Sequence, residues 1–463
     1  MIWAEQIKRT GATLAVAVSL AVAGSGASGQ TLSDALVQAY RSSPILEQQR
    51  FLLRATDEDV AIAVSALRPA VSFATSYGKV RTSSNFGTST ATTSSLGLVL
   101  DFTLVDAGQR HLRIAAEKES VLAARFSLID FEQDVLLTAI DAYLDLREAV
   151  LSVDVSESNL RLLQEELRAT RDRFEVGEVT RTDVAIAESS LAASLSALAA
   201  ARGAVDISRE LYRQAIGVLP TGTLAPPPPP PALPPTLERA QALALQVHPL
   251  IISAQHDITA LRLLADIAQA NRLPTVGLQS DFTVSRPDTV TAGVSVTGTV
   301  PIFTGGALSA LNRQAIANAQ AARSNLNTIS RAITQGVGTA WAELQIARAQ
   351  ITATREGVRA AQLAFEGFQE EARLGARTTI DVLDAEQDLI DARLALIEAE
   401  TAADLAVYSV LDAVGLLTTD HLGLNVERFD PSEYYNQVSN APAVSPSEQG
   451  GRLDSVLRRF GRN

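Results

Sequence analysis

The chain is written twice. Residues 177–219 reappear at 375–417 without a gap, so that Gly177 answers Gly375, Thr180 answers Thr378, Asp183 answers Asp381 and Gly217 answers Gly415. Earlier blocks repeat as well. Thr31-Leu32, Pro44 and Pro69 match Thr236-Leu237, Pro249 and Pro274, and Leu104 and Gly108 match Ile302 and Gly306. A tandem copy of roughly 200 residues is a duplicated architecture, far longer than a solenoid repeat. Any fold and any function must therefore give both halves the same job.

The ends and the composition narrow the setting. Lys8 and Arg9 precede a short apolar run at 11–23, and small residues fill 24–29, the pattern of an export signal over 1–29 with cleavage near Gln30. A membrane-spanning helix needs roughly 20 apolar residues. This run is too short and no other stretch approaches that length, which excludes a helical inner-membrane protein. The chain has no cysteine, so a disulfide scaffold, a thiolate metal site, a cysteine nucleophile and an acylated N-terminal cysteine are all excluded. A net charge of −13 disfavours nucleic acid as a partner. Hydrophobic residues make up 46% of the chain but aromatics only 5%, which suits long, closely packed helices better than one thick core.

Periodicity divides each half into the same series. Leu32, Leu36, Tyr40, Leu46, Leu53, Val60 and Val64 predict a helix over 31–66, broken early at Pro44. The period then changes to two, predicting a strand hairpin over 69–105 with a Ser/Thr/Gly-rich loop at 78–94. Leu96, Leu98, Leu100 and Phe102 share one strand face. Its copy, over 274–302, turns through Arg286-Pro287-Asp288 and puts Val294, Val296 and Val300 on the matching face. Strands of about nine to eleven residues with one aliphatic face have the length that crosses an outer membrane when tilted, and that face is expected to meet lipid.

A proline-free helix follows each hairpin, over 108–174 and again over 306–374, each roughly 100 Å long at 1.5 Å per residue. The first has a heptad seam through Leu122, Phe126, Ile129, Leu136, Ile140, Tyr143 and Val150, which slips and restarts at Leu160, Leu163, Leu167 and Phe174. Return helices are predicted over 180–217 and 378–415. Val184, Leu191, Leu198, Val205 and Tyr212 lie seven apart, as do Val382, Leu389, Leu396, Ala403 and Val410, the spacing of helices wrapped on one another. The expected organisation is a first repeat over 30–225, a stiff proline linker over 226–235, a second repeat over 236–430 and a flexible tail over 431–463.

Both helical hairpins turn through Gly-x-x-Thr-x-x-Asp. Gly177 and Gly375 suit a left-handed helix end, Thr180 and Thr378 are N-caps, and Asp183 and Asp381 at N3 complete capping boxes. The second tip carries a further acid, Asp384, where the first has Ile186.

Two copies of helix, strand hairpin, long helix and return helix, ending in GARTTIDVLDAEQDL at 375–389, resemble the TolC-type outer-membrane channel-tunnels over essentially the whole mature chain. The resemblance implies a mainly α fold with a small transmembrane β part, in which three chains share a twelve-stranded barrel above a periplasmic α-helical tunnel. Four strands cannot close a barrel alone, and open edges cannot face lipid. The family's acidic entrance ring maps to Asp381 and Asp384, and its gating links between neighbouring tips map to Arg377 on one side and Thr182 and Asp183 on the other. An aromatic often found three residues before the second-tip glycine is Ala372 here, and the proline before the strand-to-helix turn is kept at Pro301 but is Thr103 in the first half.

The resemblance further implies a homotrimer in the Gram-negative outer membrane, in contact with its lipid. It would be coupled through a periplasmic adaptor (a membrane fusion protein) to an inner-membrane ABC or proton-driven transporter, with no cofactor, no metal and no catalytic residue. The stretch 53–69 looks most like members serving type I protein secretion; multidrug or small-molecule efflux is the alternative. An enzyme is disfavoured because His111, His248, His256 and His421 are scattered and no nucleophile elbow, Walker loop or dinucleotide fingerprint occurs. A trimeric coiled-coil adhesin would leave two identically placed strand hairpins unexplained, and a pump adaptor would carry one helical hairpin instead of two.

Overall fold

The helical elements repeat in length as the sequence repeats in letters. In the computed structural model, which describes residues 29–286 and 289–441, the first half runs α1 (Leu32–Ser42), α2 (Pro44–Ser65), β1 (Ala70–Ser84), β2 (Gly87–Val105), α3 (Gln109–Glu175) and α4 (Arg181–Ile216). The second half runs α5 (Leu237–Val247), α6 (Pro249–Ala270), β3 (Thr275–Arg286), β4 (Thr289–Thr299), α7 (Ala307–Arg373) and α8 (Thr379–Val414), and α9 (Pro431–Val438) follows. Both members of each helix pair match: 11 residues for α1 and α5, 22 for α2 and α6, 67 for α3 and α7, and 36 for α4 and α8. The signal expected over 1–29 lies outside the described residues except for Gly29, as do residues 287–288 of the second strand turn.

Local chemistry sets these boundaries. Pro44 and Pro249 sit at the first position of α2 and α6, where a missing N–H costs nothing, so each predicted first helix splits in two. Gly217 and Gly415 end α4 and α8 at φ of 91° and 88°. At Gly415 a Cβ would lie 2.8 Å from the Cα of His248, so the position needs glycine for space as well as for conformation.

Two large cores hold the bundle, the first centred on the first repeat but joined by Tyr408 and Leu411 of α8, the second built from the second repeat. The first gathers Leu36, Leu136, Ile140, Tyr143, Tyr212 and Ile216, and the second gathers Ile251, Val337, Leu344, Val407 and Val410. The long helix α3 packs against α2 and α6 toward its start and against α4 toward its end. The seam holds at Leu136, Ile140 and Tyr143, all fully buried, but Val150 and Phe174 are exposed and fall outside it. Helix α4 buries Ala187, Ser194, Leu198, Val205 and Tyr212. Reading only unbroken apolar runs overlooked α4: among the described residues it is long and apolar enough to cross a membrane by length and composition. Its alanine-rich stretch is interspersed with Ser and a single acid, which hides it from that test.

The four strands form one antiparallel sheet in the order β1-β2-β3-β4. Pairing of Phe73 with Leu98, Leu98 with Phe282, Leu278 with Val296 and Ser280 with Val294 carries one face unbroken across all four strands. Leu96, Leu98, Leu100, Phe102, Val294 and Val296 lie on it. Val300 falls just beyond β4, which ends at Thr299. The first hairpin differs from expectation. β1 is 15 residues and β2 is 19, and the turn shrinks to Asn85-Phe86 where a loop over 78–94 was anticipated. Thr and Ser there are β-compatible, and cross-strand contacts such as Ser76 Oγ to Ser95 Oγ (2.8 Å) hold them in register. β3 pairs with β2 only as far as Ser94, so this Ser/Thr-rich ribbon projects beyond the four-stranded part.

The start of the expected flexible tail is also ordered. Asp430 caps α9, and the helix docks on α2 and α3. The Tyr434 hydroxyl donates to Glu58 (2.6 Å), Arg125 stacks on Tyr435, and the Arg68 guanidinium donates to the carbonyls of Asn440 and Ala441. Polar composition suggested a solvated tail, but its aromatics bind arginines on the bundle.

Candidate functional site: the paired helical tips

The tips form where the long helices stop. Gly177 and Gly375 both adopt φ of 79°, and each turn closes with the same pair of bonds. Gly177 N donates to the Phe174 carbonyl (3.0 Å) and Glu178 N to Arg173 (2.9 Å); Gly375 N donates to Ala372 (3.0 Å) and Ala376 N to Glu371 (2.9 Å). Thr180 and Thr378 then cap the return helices. Asp183 Oδ2 accepts from Thr180 N and Oγ1, each at 2.8 Å, and Asp381 Oδ2 accepts from Thr378 N (2.9 Å) and Oγ1 (2.8 Å). Side-chain and backbone bonds from Thr180 hold the Asp183 carboxyl below its ordinary value. For Asp381 the backbone bond from Thr378 is the largest cause, with Arg377 adding to it. Both acids are thus ionised with one oxygen committed to the cap. Asp384 is exposed one turn further along α8.

Arg377 is engaged within its own chain. Its Nε donates to Glu371 Oε2 (2.9 Å), and its guanidinium stacks on Phe368 at 4.4 Å from the ring centroid. Phe368 lies one helical turn before Ala372, so the stacking partner absent at Ala372 is supplied from four residues earlier. Thr182 is exposed and Asp183 half-buried, and no contact joins either to Arg377 within the chain.

The two tips lean on one another through Leu163 and Leu167 of α3, Ala187 of α4 and Leu383 of α8. Beside this contact lies a residue that the sequence pattern did not single out. Glu386 is 2% exposed, its Oε1 has no partner, and burial together with the nearby Glu166 pushes its carboxyl up to about 7. The signal available was a glutamate three residues after Leu383 and three before Leu389, on a buried face.

A family model described as Outer membrane efflux protein matches residues 35–218 and 241–416, one block in each repeat. Outer membrane efflux protein BepC of Brucella suis biovar 1 is 37% identical over 90% of this chain and 92% of its own length. Outer membrane protein TolC of Escherichia coli is 24% identical over 87% of this chain and 86% of its own. Among solved structures, CusC superposes with a TM-score of 0.74 at 19% identity, covering 83% of this chain and 92% of CusC. Matched in two blocks that coincide with its duplicated halves, the chain belongs to the outer membrane efflux protein family: it is an export channel of the outer membrane and not an enzyme.

Proposed function

We propose that three copies of this chain close a twelve-stranded barrel in the outer membrane above a tunnel made of the long helices. The carrying observation is the sheet itself. Its four strands have one largely apolar face and, among the described residues, two unpaired edges, β1 and β4, on which Phe73, Val294 and Val296 are 65%, 74% and 64% exposed. Backbone groups on such edges cannot remain unpaired in hydrocarbon, so each edge needs the opposite edge of another copy. The face through Leu96, Leu98, Leu100, Phe102, Val294 and Val296 then meets lipid, with Val300 at its border. The Ser/Thr ribbon beyond Ser94 projects past the bilayer.

At the other end the tips converge. Asp381 and Asp384 from three copies form an acidic ring that favours cations, and Arg377, Thr182 and Asp183 link neighbouring tips in the closed entrance. The capped turns present this ring to a periplasmic adaptor and an inner-membrane ABC or proton-driven pump. Efflux is the cargo reading supported by the 37%-identical relative, whose name states efflux and which spans both chains almost fully. Type I protein secretion is the second reading, supported by the residues at 53–69.

Native mass spectrometry of the full chain in detergent, followed by planar-bilayer recording, tests the assembly: a trimer that conducts is expected, and a water-soluble monomer without β signal overturns it. Deleting the gene separates the cargo readings, because efflux predicts dye accumulation with an unchanged secreted proteome and secretion predicts the reverse.

A further inference from the structure

Part-way along α3, away from both membrane and tips, a cavity of about 260 Å³ opens between α2, α3 and the strap that leads to α9. Its charge is unbalanced. Arg50, Arg125 and Arg428 line it, against Glu132 and Asp420. Both acids are already committed. Glu132 Oε1 accepts from Thr419 N and Oγ1 at 2.8 Å each, and Asp420 is paired with Arg428.

The other two arginines lack a matching acceptor. Arg50 is held between the Tyr40 ring (4.9 Å) and the Phe429 ring (5.3 Å), and its Nε is buried with no partner. Arg125 stacks on Tyr435 and donates one Nη2 bond to the Pro431 carbonyl (3.3 Å), yet its Nε is likewise buried and unpartnered. Asp57 is near enough to feel the Arg125 charge, but it makes no ion pair with it, and both its carboxylate oxygens are unpartnered too. A buried charged donor without an acceptor is destabilising. Three guanidinium groups converge on one cavity and Asp420 is paired to one of them, an excess of positive charge that a negative ion in the cavity would relieve. The aromatic rings already fix the Arg50 plane, so little ordering remains to oppose binding. The Tyr40 hydroxyl accepts from Phe429 N (3.4 Å) and keeps its own hydrogen for a further acceptor.

We propose that this cavity binds a small oxyanion, a phosphate or a carboxylate, held by Arg50, Arg125 and Arg428, and that the bound ion ties the strap at 418–431 to α2 and α3. Guanidinium forks match the paired oxygens of such ions, and the cavity has room for the ion with attendant water. The proposal does not depend on how many copies assemble or on which cargo passes.

Isothermal titration of the detergent-solubilised full chain with sodium phosphate, sodium acetate and sodium chloride at matched ionic strength decides the matter. Saturable binding of phosphate or acetate, absent with chloride, is expected, and the stronger of the two identifies the ligand class. Arg50→Met should weaken it about tenfold or more, the loss of one charge-assisted pair. If that variant does not fold by circular dichroism, Arg428→Gln, on the exposed rim, replaces it with the same expectation. No saturation with either oxyanion, or equal affinity in the folded variant, overturns the proposal.

Discussion

At the scale of single residues the tips combine structural and proposed functional duties. Asp381 caps α8 with one oxygen and leaves the other for solvent, and Asp384 has no part in the cap. Replacing both by Asn should reduce cation selectivity, read as a reversal potential moving toward zero in a salt gradient; an unmoved potential would place the selective ring elsewhere. Arg377→Ala should raise single-channel conductance, and Asp183→Ala should do the same if the two residues meet across copies. Glu371→Gln removes the in-chain ion pair but leaves Arg377 stacked on Phe368, and should leave a conducting channel. Glu386 makes a pH prediction. Its folded carboxyl binds a proton between the ordinary 4.5 and about 7, where the unfolded chain has already released it. The stability this group contributes is therefore complete below that window, falls as pH rises through it, and levels off above. Glu386→Gln should flatten this part of the thermal-midpoint profile and stabilise the protein at pH 8 by roughly 1–2 kcal/mol. The caps were legible in sequence because their bonds span three residues. Glu386 and the Glu371–Arg377–Phe368 cluster were not, because burial of the first depends on α3 across the interface and the second uses an aromatic one turn away from the familiar place.

At the scale of elements, the lengths of α3, α4, α7 and α8 were readable within two residues, since glycine ends, threonine caps and absent prolines are local signals. The first strand hairpin was misjudged for a physical reason. Runs of Ser and Thr are common in loops but also suit an exposed ribbon, and only pairing with a partner strand decides between them. The strand faces were legible, because a period of two leaves no choice once one face is apolar. Val294→Arg tests which face meets lipid. It should cost roughly 2–4 kcal/mol per copy near the bilayer midplane and lower trimer yield on unheated gels, and normal yield would reverse the assignment. Gly97 marks the join between halves, where an added Cβ would lie 2.6 Å from the Phe282 carbonyl oxygen and so separate β2 from β3.

At the scale of the whole molecule, duplication supplied the architecture, but contacts between non-repeating parts did not follow from it. The strap and α9 have no counterpart after the first repeat, and the arginine-lined cavity exists only where they dock. The helices of the two halves agree in length residue for residue, whereas β1 and β2 are 15 and 19 residues against 12 and 11 for β3 and β4. β2 runs four residues further toward α3 than β4 runs toward α7, and the rest of the difference is discharged at the turn farthest from the helices, the tip bearing Asn85 and a fully exposed Phe86. That apex is a natural port for foreign sequence: a short epitope inserted between Asn85 and Phe86 should be displayed to antibody on intact cells while the conduit behind it keeps its calibre, and labelling seen only after lysis would show the apex pointing inward.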